Sequence, residues 1–413
     1  MNRRSALALI LAALVAVPLA AGRIDSRGAT ALAALLDEAV RDGDPPAIVA
    51  MVVDRDRVLF EHAAGRMRAG GTSEAAPARL DALFRIHSMT KPITSVAALM
   101  LMDEGRLRAD DPVSTYLPDY ASRQVLTGLS ADGSVRTRPA LGPITIRHLL
   151  THTSGIGYGF SDPVLLPLTM RTGKPEIELP LLHDPGARWT YGASTRVLGD
   201  VIERVTGGSL DAFFASRIFE PLGMRDTFFR VPDDKRARVM ARYQRARGRL
   251  SEEPLAQVEE QPVRGDGGLY STARDYATFM QMLLNDGRAG GRRLLSARSM
   301  QLLRTNGIGS LTVGLQPAAD AGRTRPFPIG AGRDTFSFGF QLAAPSTTGR
   351  PSRSAGSMSW GGLRNTHFWI DPPAGIGAVL MTQVLPFYDD EVMTVLTTFE
   401  ETIYSVLPSH TRR

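Results

Sequence analysis

Ser88-Met89-Thr90-Lys91 is the stretch of this chain whose residue types and spacing could most directly do chemistry. Residues three apart share one face of a helix, so the Ser88 hydroxyl and the Lys91 amine can meet. Pro92 follows directly, and proline sits in a helix only near its start, which puts both side chains at a helix N-terminus. There the helix dipole favours an alkoxide and disfavours an ammonium. Both effects favour a neutral lysine taking the serine proton, the activation that a hydroxyl nucleophile requires. Read structurally instead, Ser88 caps the helix and Lys91 is a surface charge. S-x-x-K alone does not separate the two.

Lysine usage bears on that choice. Of 48 basic residues only Lys91, Lys174 and Lys235 are lysines, and the other 45 are arginines. A coding bias explains arginine wherever charge alone matters. A lysine that survives such a bias marks a place where arginine would not serve. Arginine cannot release its proton at workable pH, whereas a buried lysine can.

Competing schemes lack their residues. There is no G-x-S-x-G elbow and no H-E-x-x-H, and the seven histidines show no metal-ligand spacing. His87 abuts Ser88, but adjacent residues at a helix start point apart, so it reads as a pocket-wall or packing residue. With no cysteine there is no thiolate nucleophile, disulfide or Cys-ligated zinc. No metal and no cofactor are expected.

The elements that must position these residues follow from periodicity. Residues 26–42 form an amphipathic pattern with Leu32, Leu35, Leu36 and Val40 on one stripe. Ala47–Val53 and Val58–His62 read as a hairpin turning at Asp54-Arg55-Asp56. A helix follows Ser88 and closes at Gly105, and further helices are expected near 145–152, 194–206, 209–218 and 272–285. Residues 121–143, 156–188 and 231–265 read as loops. Strands return at 336–342, 367–370 and 376–381, and residues 389–406 close the chain as a helix. The economical fold is α/β: one sheet built from both chain ends, flanked by the terminal helices, with an inserted mainly helical lobe.

Arg3 and Arg4, an apolar run from Ala6 to Val17, and small residues to Gly22 read as a cleavable export signal, residues 1–22. The run is short of the roughly 20 apolar residues that span a bilayer, so no stable membrane anchor is expected after cleavage. Residues 23–413 then form one domain, an α/β lobe of about 23–87 and 300–413 around a helical lobe of about 88–299. A periplasmic or secreted product is expected. Setting Arg3 and Arg4 aside, 46 basic residues face 42 acidic ones, a net charge of +4. These charges are scattered without interleaved aromatics, so nucleic acid is a poor partner.

Further stretches fix the reading. Trp189-Thr-Tyr191-Gly-Ala193-Ser194 precedes a helix, and Ser359-Trp360-Gly361-Gly362 comes far downstream, before His367-Phe-Trp-Ile-Asp-Pro372. With Ile146-Arg-His-Leu-Leu-Thr-His-Thr-Ser-Gly155 and Gly265-Asp-Gly-Gly-Leu-Tyr-Ser-Thr-Ala273, these resemble the serine β-lactamase superfamily. The likeness is to the class C-like serine hydrolases and the family VIII carboxylesterases, in the order S-x-x-K, Y-x-N/S, then W-G-G for K-T-G. It runs from about residue 30 to 400.

The resemblance implies a serine β-lactamase-like fold with an antiparallel sheet. It makes Ser88 the acylated nucleophile, Lys91 its activating partner and Tyr191 the phenol that shuttles protons. It puts the oxyanion hole at the Ser88 N–H and an N–H after Trp360-Gly361-Gly362, that of Leu363. His148 and His152 become packing and hydrogen-bonding residues. Ala193 and Trp360 depart from the family's amide and lysine, which removes two contacts for amide or carboxylate substrates. Arg364 could restore an anionic-substrate contact.

The expected activity is cleavage of a small-molecule carboxylic ester through an acyl-enzyme. The alternatives are a β-lactamase or D-alanyl-peptide hydrolase acting on an amide, and a slowly acylating binding or sensor protein. Oligomeric state is not legible.

Overall fold

The computed structural model describes residues 24–42, 44–68, 76–130, 134–253 and 262–408. The expected export signal, residues 1–22, lies outside them.

Helix α1, Ser26–Val40, starts where the Asp25 carboxylate accepts the Gly28 N–H at 2.7 Å, and it buries Leu32 and Leu36. Strands β1, Ala47–Val53, and β2, Val58–Gly65, pair antiparallel. Their turn is closed by Asp54 Oδ1, which accepts the N–H groups of Asp56 and Arg57 at 2.9 and 2.7 Å. Every residue of β1 is buried, because the sheet is covered on both faces. Val49, Met51 and Val53 enter the main core. Ile48, Ala50 and Val52 enter a second core under the terminal helices.

The chain then leaves the sheet. A 3₁₀ turn, His87–Met89, runs into α2, Thr90–Asp103, which is buried from Thr90 to Leu101. Helix α3, Ser194–Thr206, presents Val197, Leu198, Val201 and Ile202 to the core. Helix α4, Ala273–Leu284, is capped by Thr272 Oγ1 and packs on the sheet, with Met280 against Gly377.

The chain returns as β3, Thr335–Phe336; β4, Gln341–Leu342; β5, Met358–Gly362; β6, Thr366–Asp371; and β7, Ile376–Met381. The sheet order is β3-β4-β5-β6-β7-β1-β2, antiparallel throughout, with Val49 opposite Met381 and Trp360 opposite Phe368. Both chain ends meet where β7 pairs with β1. Helix α5, Asp390–Val406, closes the far face by burying Leu396, Phe399 and Ile403 beside α1. Each such fully buried side chain stabilises the fold by roughly 1.5–3 kcal/mol.

Several expectations needed correction. Residues 121–143 hold a hairpin, Gln124–Leu129 with Val135–Pro139, and residues 231–265 hold another, Tyr243–Ala246 with Arg249–Glu252. The loop expected at 156–188 contains a helix, Leu165–Thr172. The strand expected at 336–342 is two short strands, because Ser337 folds back and its N–H donates to the Phe340 carbonyl at 2.8 Å. A helix at Ala297–Arg304 had no counterpart in the sequence reading.

Candidate active site

Ser88 sits in the 3₁₀ turn and Lys91 in the first turn of α2, on one face as their spacing predicts. The Nζ of Lys91 lies 3.2 Å from Ser88 Oγ. Lys91 is 2 % exposed, whereas Lys174 is on the surface and Lys235 is ion-paired with Asp226 at 2.9 Å. The turn is tethered from α4, where the Tyr276 hydroxyl donates to the Met89 carbonyl at 3.0 Å.

Two further groups surround the amine. Nζ is 2.8 Å from the Asp266 backbone carbonyl and 3.1 Å from the Tyr158 hydroxyl oxygen. That phenol donates to Asp266 Oδ2 at 2.5 Å. Burial first, and then the Asp266 carboxylate, push the Tyr158 phenol well above its ordinary value, so it keeps its proton. The Asp266 loop is stitched to α2, because Thr94 Oγ1 donates to the Gly265 carbonyl at 2.6 Å.

Tyr191 reaches the same place from another loop. Its N–H donates to Gln316 Oε1 at 3.2 Å, and the Thr190 N–H donates to the His152 carbonyl at 2.9 Å. Gly192 is required there, since a Cβ would lie 1.9 Å from the Ile156 carbonyl oxygen. That close approach sets the Tyr191 and Tyr158 rings 5.4 Å apart, with Lys91 Nζ 5.0 Å from the Tyr191 ring centre. The Tyr191 oxygen accepts the Trp360 Nε1–H at 3.3 Å. Among the described residues Tyr191 makes no hydrogen bond to Lys91 or Ser88.

Strand β5 forms the opposite wall. Gly362 admits no side chain, because a Cβ would stand 2.3 Å from both the Ile86 carbonyl oxygen and Thr366 Oγ1. The strand therefore lies hard against the segment that carries Ser88. Ser88, Tyr191, Gly361 and Leu363 line one cavity of about 700 Å³. The sequence-predicted residues are thus assembled around one space, with Lys91 beneath it and Trp360 behind Tyr191.

His87 also lines this cavity. It adopts φ of 44°, an unusual value for a residue with a side chain, and its Nε2 has no partner among the described residues. Burial first, then Arg85, Arg364, Arg323 and Arg242, hold its imidazole well below the usual histidine range. It is neutral at physiological pH.

His152 packs its ring 4.9 Å from Tyr191, and burial holds its imidazole well below the usual histidine range. His148 Nδ1 accepts the Thr145 N–H at 3.2 Å, closing a helix cap. Arg364 is not a free cation. It is 7 % exposed, pairs with Glu253 at 2.7 and 2.9 Å, and donates to the Tyr243 carbonyl at 3.3 Å.

Sequence reasoning missed Tyr158 and the Asp266 carboxylate. Asp266 lies inside the Gly265-Asp-Gly-Gly268 turn, and Tyr158 stands between Gly157 and Gly159. An aromatic residue flanked by glycines was the available signal, but nothing local ties it to a carboxylate 108 residues away.

The chain matches the Beta-lactamase family model over residues 32–396. It is 32% identical to the lovastatin esterase of Penicillium rubens over 358 residues, covering 81% of this chain and 88% of that protein. It is 29% identical to Esterase EstB of Burkholderia gladioli over 388 residues, covering 86% and 90%. The structure superposes on unliganded simvastatin synthase from Aspergillus terreus with a TM-score of 0.78 at 28% identity, covering 92% of this chain and 99% of that one. The fold, the matched length and the nature of these relatives agree: this chain belongs to the beta-lactamase family and is an enzyme of its serine hydrolase and acyltransferase kind.

Proposed function

We propose that this chain is an exported esterase that cleaves small carboxylic esters through an acyl-enzyme on Ser88. One observation carries the reading: a buried amine at 3.2 Å from the hydroxyl. Lys91 takes the Ser88 proton as the alkoxide attacks the ester carbonyl. The carbonyl oxygen becomes an oxyanion and meets the N–H groups of Ser88 and Leu363. Tyr191 gives its proton to the departing alkoxide and regains one from the Lys91 ammonium. Water then attacks the acyl-enzyme by the reverse relay and frees the acid.

The Trp360 indole suits Tyr191 to that task. An indole N–H only donates, so the phenol oxygen must accept from it and the phenol's own proton is left for the leaving group. Replacing Trp360 by phenylalanine is expected to lower kcat about tenfold, a loss of the size a single hydrogen bond gives. The loss should shrink for activated leaving groups such as p-nitrophenol, which need less protonation. Equal loss across leaving groups would count against this role.

Esters are favoured over amides because the site offers neutral Trp360 and Ala193 where amide and carboxylate contacts would be needed, while Glu253 occupies Arg364. The esterase relatives support the same substrate class. Short-chain p-nitrophenyl esters are expected to turn over rapidly, with kcat/KM at least about a hundredfold above that for nitrocefin. The reverse ranking would make the enzyme a β-lactamase. Stoichiometric labelling without turnover would make it a sensor. Export rests on the pattern of residues 1–22, and N-terminal sequencing of the mature protein tests it.

A further inference from the structure

We infer that Tyr158 and Asp266 act as a positioning pair that fixes which way the Lys91–Ser88 hydrogen bond runs. The inference rests on Lys91 serving as the base and adds what aims it. A neutral amine has two N–H donors and one lone pair. Lys91 Nζ has three oxygen partners: the Asp266 carbonyl at 2.8 Å, the Tyr158 hydroxyl at 3.1 Å and Ser88 Oγ at 3.2 Å. The carbonyl can only accept. The Tyr158 oxygen has already directed its proton to Asp266 Oδ2 at 2.5 Å, so towards the lysine it too can only accept.

Both N–H groups are thereby committed, and the lone pair is the one valence left for Ser88. The serine must then donate to the amine, the direction in which a base removes a proton. Burial sharpens the constraint. Tyr158 is 8 % exposed and Asp266 6 %, each with only an edge on the Ser88 cavity, where a hydrogen bond is stronger than in bulk water. The same arrangement serves the next step. The ammonium formed when Lys91 is protonated has three N–H groups for the same three oxygens, beside a carboxylate whose Oδ1 is 3.4 Å from Arg264 Nε.

Without the phenol, one N–H turns freely towards Ser88 Oγ and the lone pair points elsewhere. Asp266→Asn has the same consequence by another route. Its amide can offer an N–H to the Tyr158 oxygen, which turns the phenol proton onto the lysine lone pair. A carboxylate needed only for shape would tolerate the amide.

The test is a double-mutant cycle with Tyr158→Phe, Asp266→Asn and the double variant, each first shown to melt cooperatively. Each single variant is expected to lower kcat on a p-nitrophenyl ester about 10- to 100-fold, with KM within twofold and Ser88 phosphonylation slowed in parallel. The double variant is expected to lose no more than about threefold beyond the worse single one, because both changes break one device. It also removes the buried carboxylate charge together with its donor, so it reports on function if Tyr158→Phe alone fails to fold. A Tyr158→Phe enzyme within threefold of wild type, or losses that multiply in the double variant, would overturn the inference. If Lys91→Arg also kept its activity, the base reading itself would fall. Loss in Lys91→Arg with normal Tyr158→Phe removes only the positioning pair.

Discussion

Replacing Lys91 with arginine is expected to lower kcat on p-nitrophenyl esters about a thousandfold or more, with KM changed only a few-fold. The substitution leaves a permanent positive charge at much the same place. What it removes is the ability to be neutral, since a guanidinium does not lose its proton in proteins. A purely electrostatic role would survive the exchange, and a proton-transfer role would not. The lysine sits 2 % exposed between Ser88, Tyr158 and Asp266, so the larger side chain must also displace neighbours. Lys91→Met is therefore the companion, shorter than arginine and unable to accept a proton as an amine does. Near-normal kcat in either variant would exclude Lys91 as the base.

Ser88→Ala is expected to remove at least about four orders of magnitude in kcat while leaving the fold and substrate KM largely intact. Removing the hydroxyl takes away the proposed nucleophile, held 3.2 Å from the Lys91 amine. The methyl that remains fits the half-buried position, and the Met89 carbonyl tether from Tyr276 is untouched. Residual turnover would come from the oxyanion donors and from binding alone. Steady-state assays across an ester series, with a thermal melt to establish folding, check this. Turnover within tenfold of wild type would mean that another nucleophile is at work.

Ser88 and Lys91 were legible because their pairing is local. Three residues at a helix start fix the geometry before any tertiary contact forms. The buried strands of the sheet were legible for a related reason, since Ala47–Val53 is apolar throughout and its partner Ile376–Met381 repeats the pattern. Tyr191, Trp360 and Leu363 needed the family likeness, because nothing in their own neighbourhoods says that a loop and a strand 169 residues apart in sequence converge. Tyr158 and Asp266 escaped both routes. Their partnership depends on Gly192 letting one loop lie against Ile156 and on Gly265 letting another close on α3 and α2, a tertiary event with no periodicity. The hairpin Gln124–Leu129 with Val135–Pro139 was lost for a different reason. Only Val125 is buried in it, so there is no alternating face to read.

Arg364 shows the opposite limit. As a sequence it is a cation beside the substrate strand, free to meet an anionic group. Glu253, 111 residues away, pairs with it in the folded protein and so occupies its guanidinium, while also lying 3.4 Å from Arg242. Charge near a site can be read from sequence, but whether that charge is spent cannot.

The central claim, that the Lys91 amine activates Ser88 for attack, is tested most directly by a fluorophosphonate ester. Adducts are mapped by peptide mass spectrometry and their rate of formation is followed in wild type and in Lys91→Met. The account predicts one adduct, on Ser88, forming at least about a hundredfold more slowly in the variant. An adduct on any other residue, or equal rates in the two proteins, would contradict it.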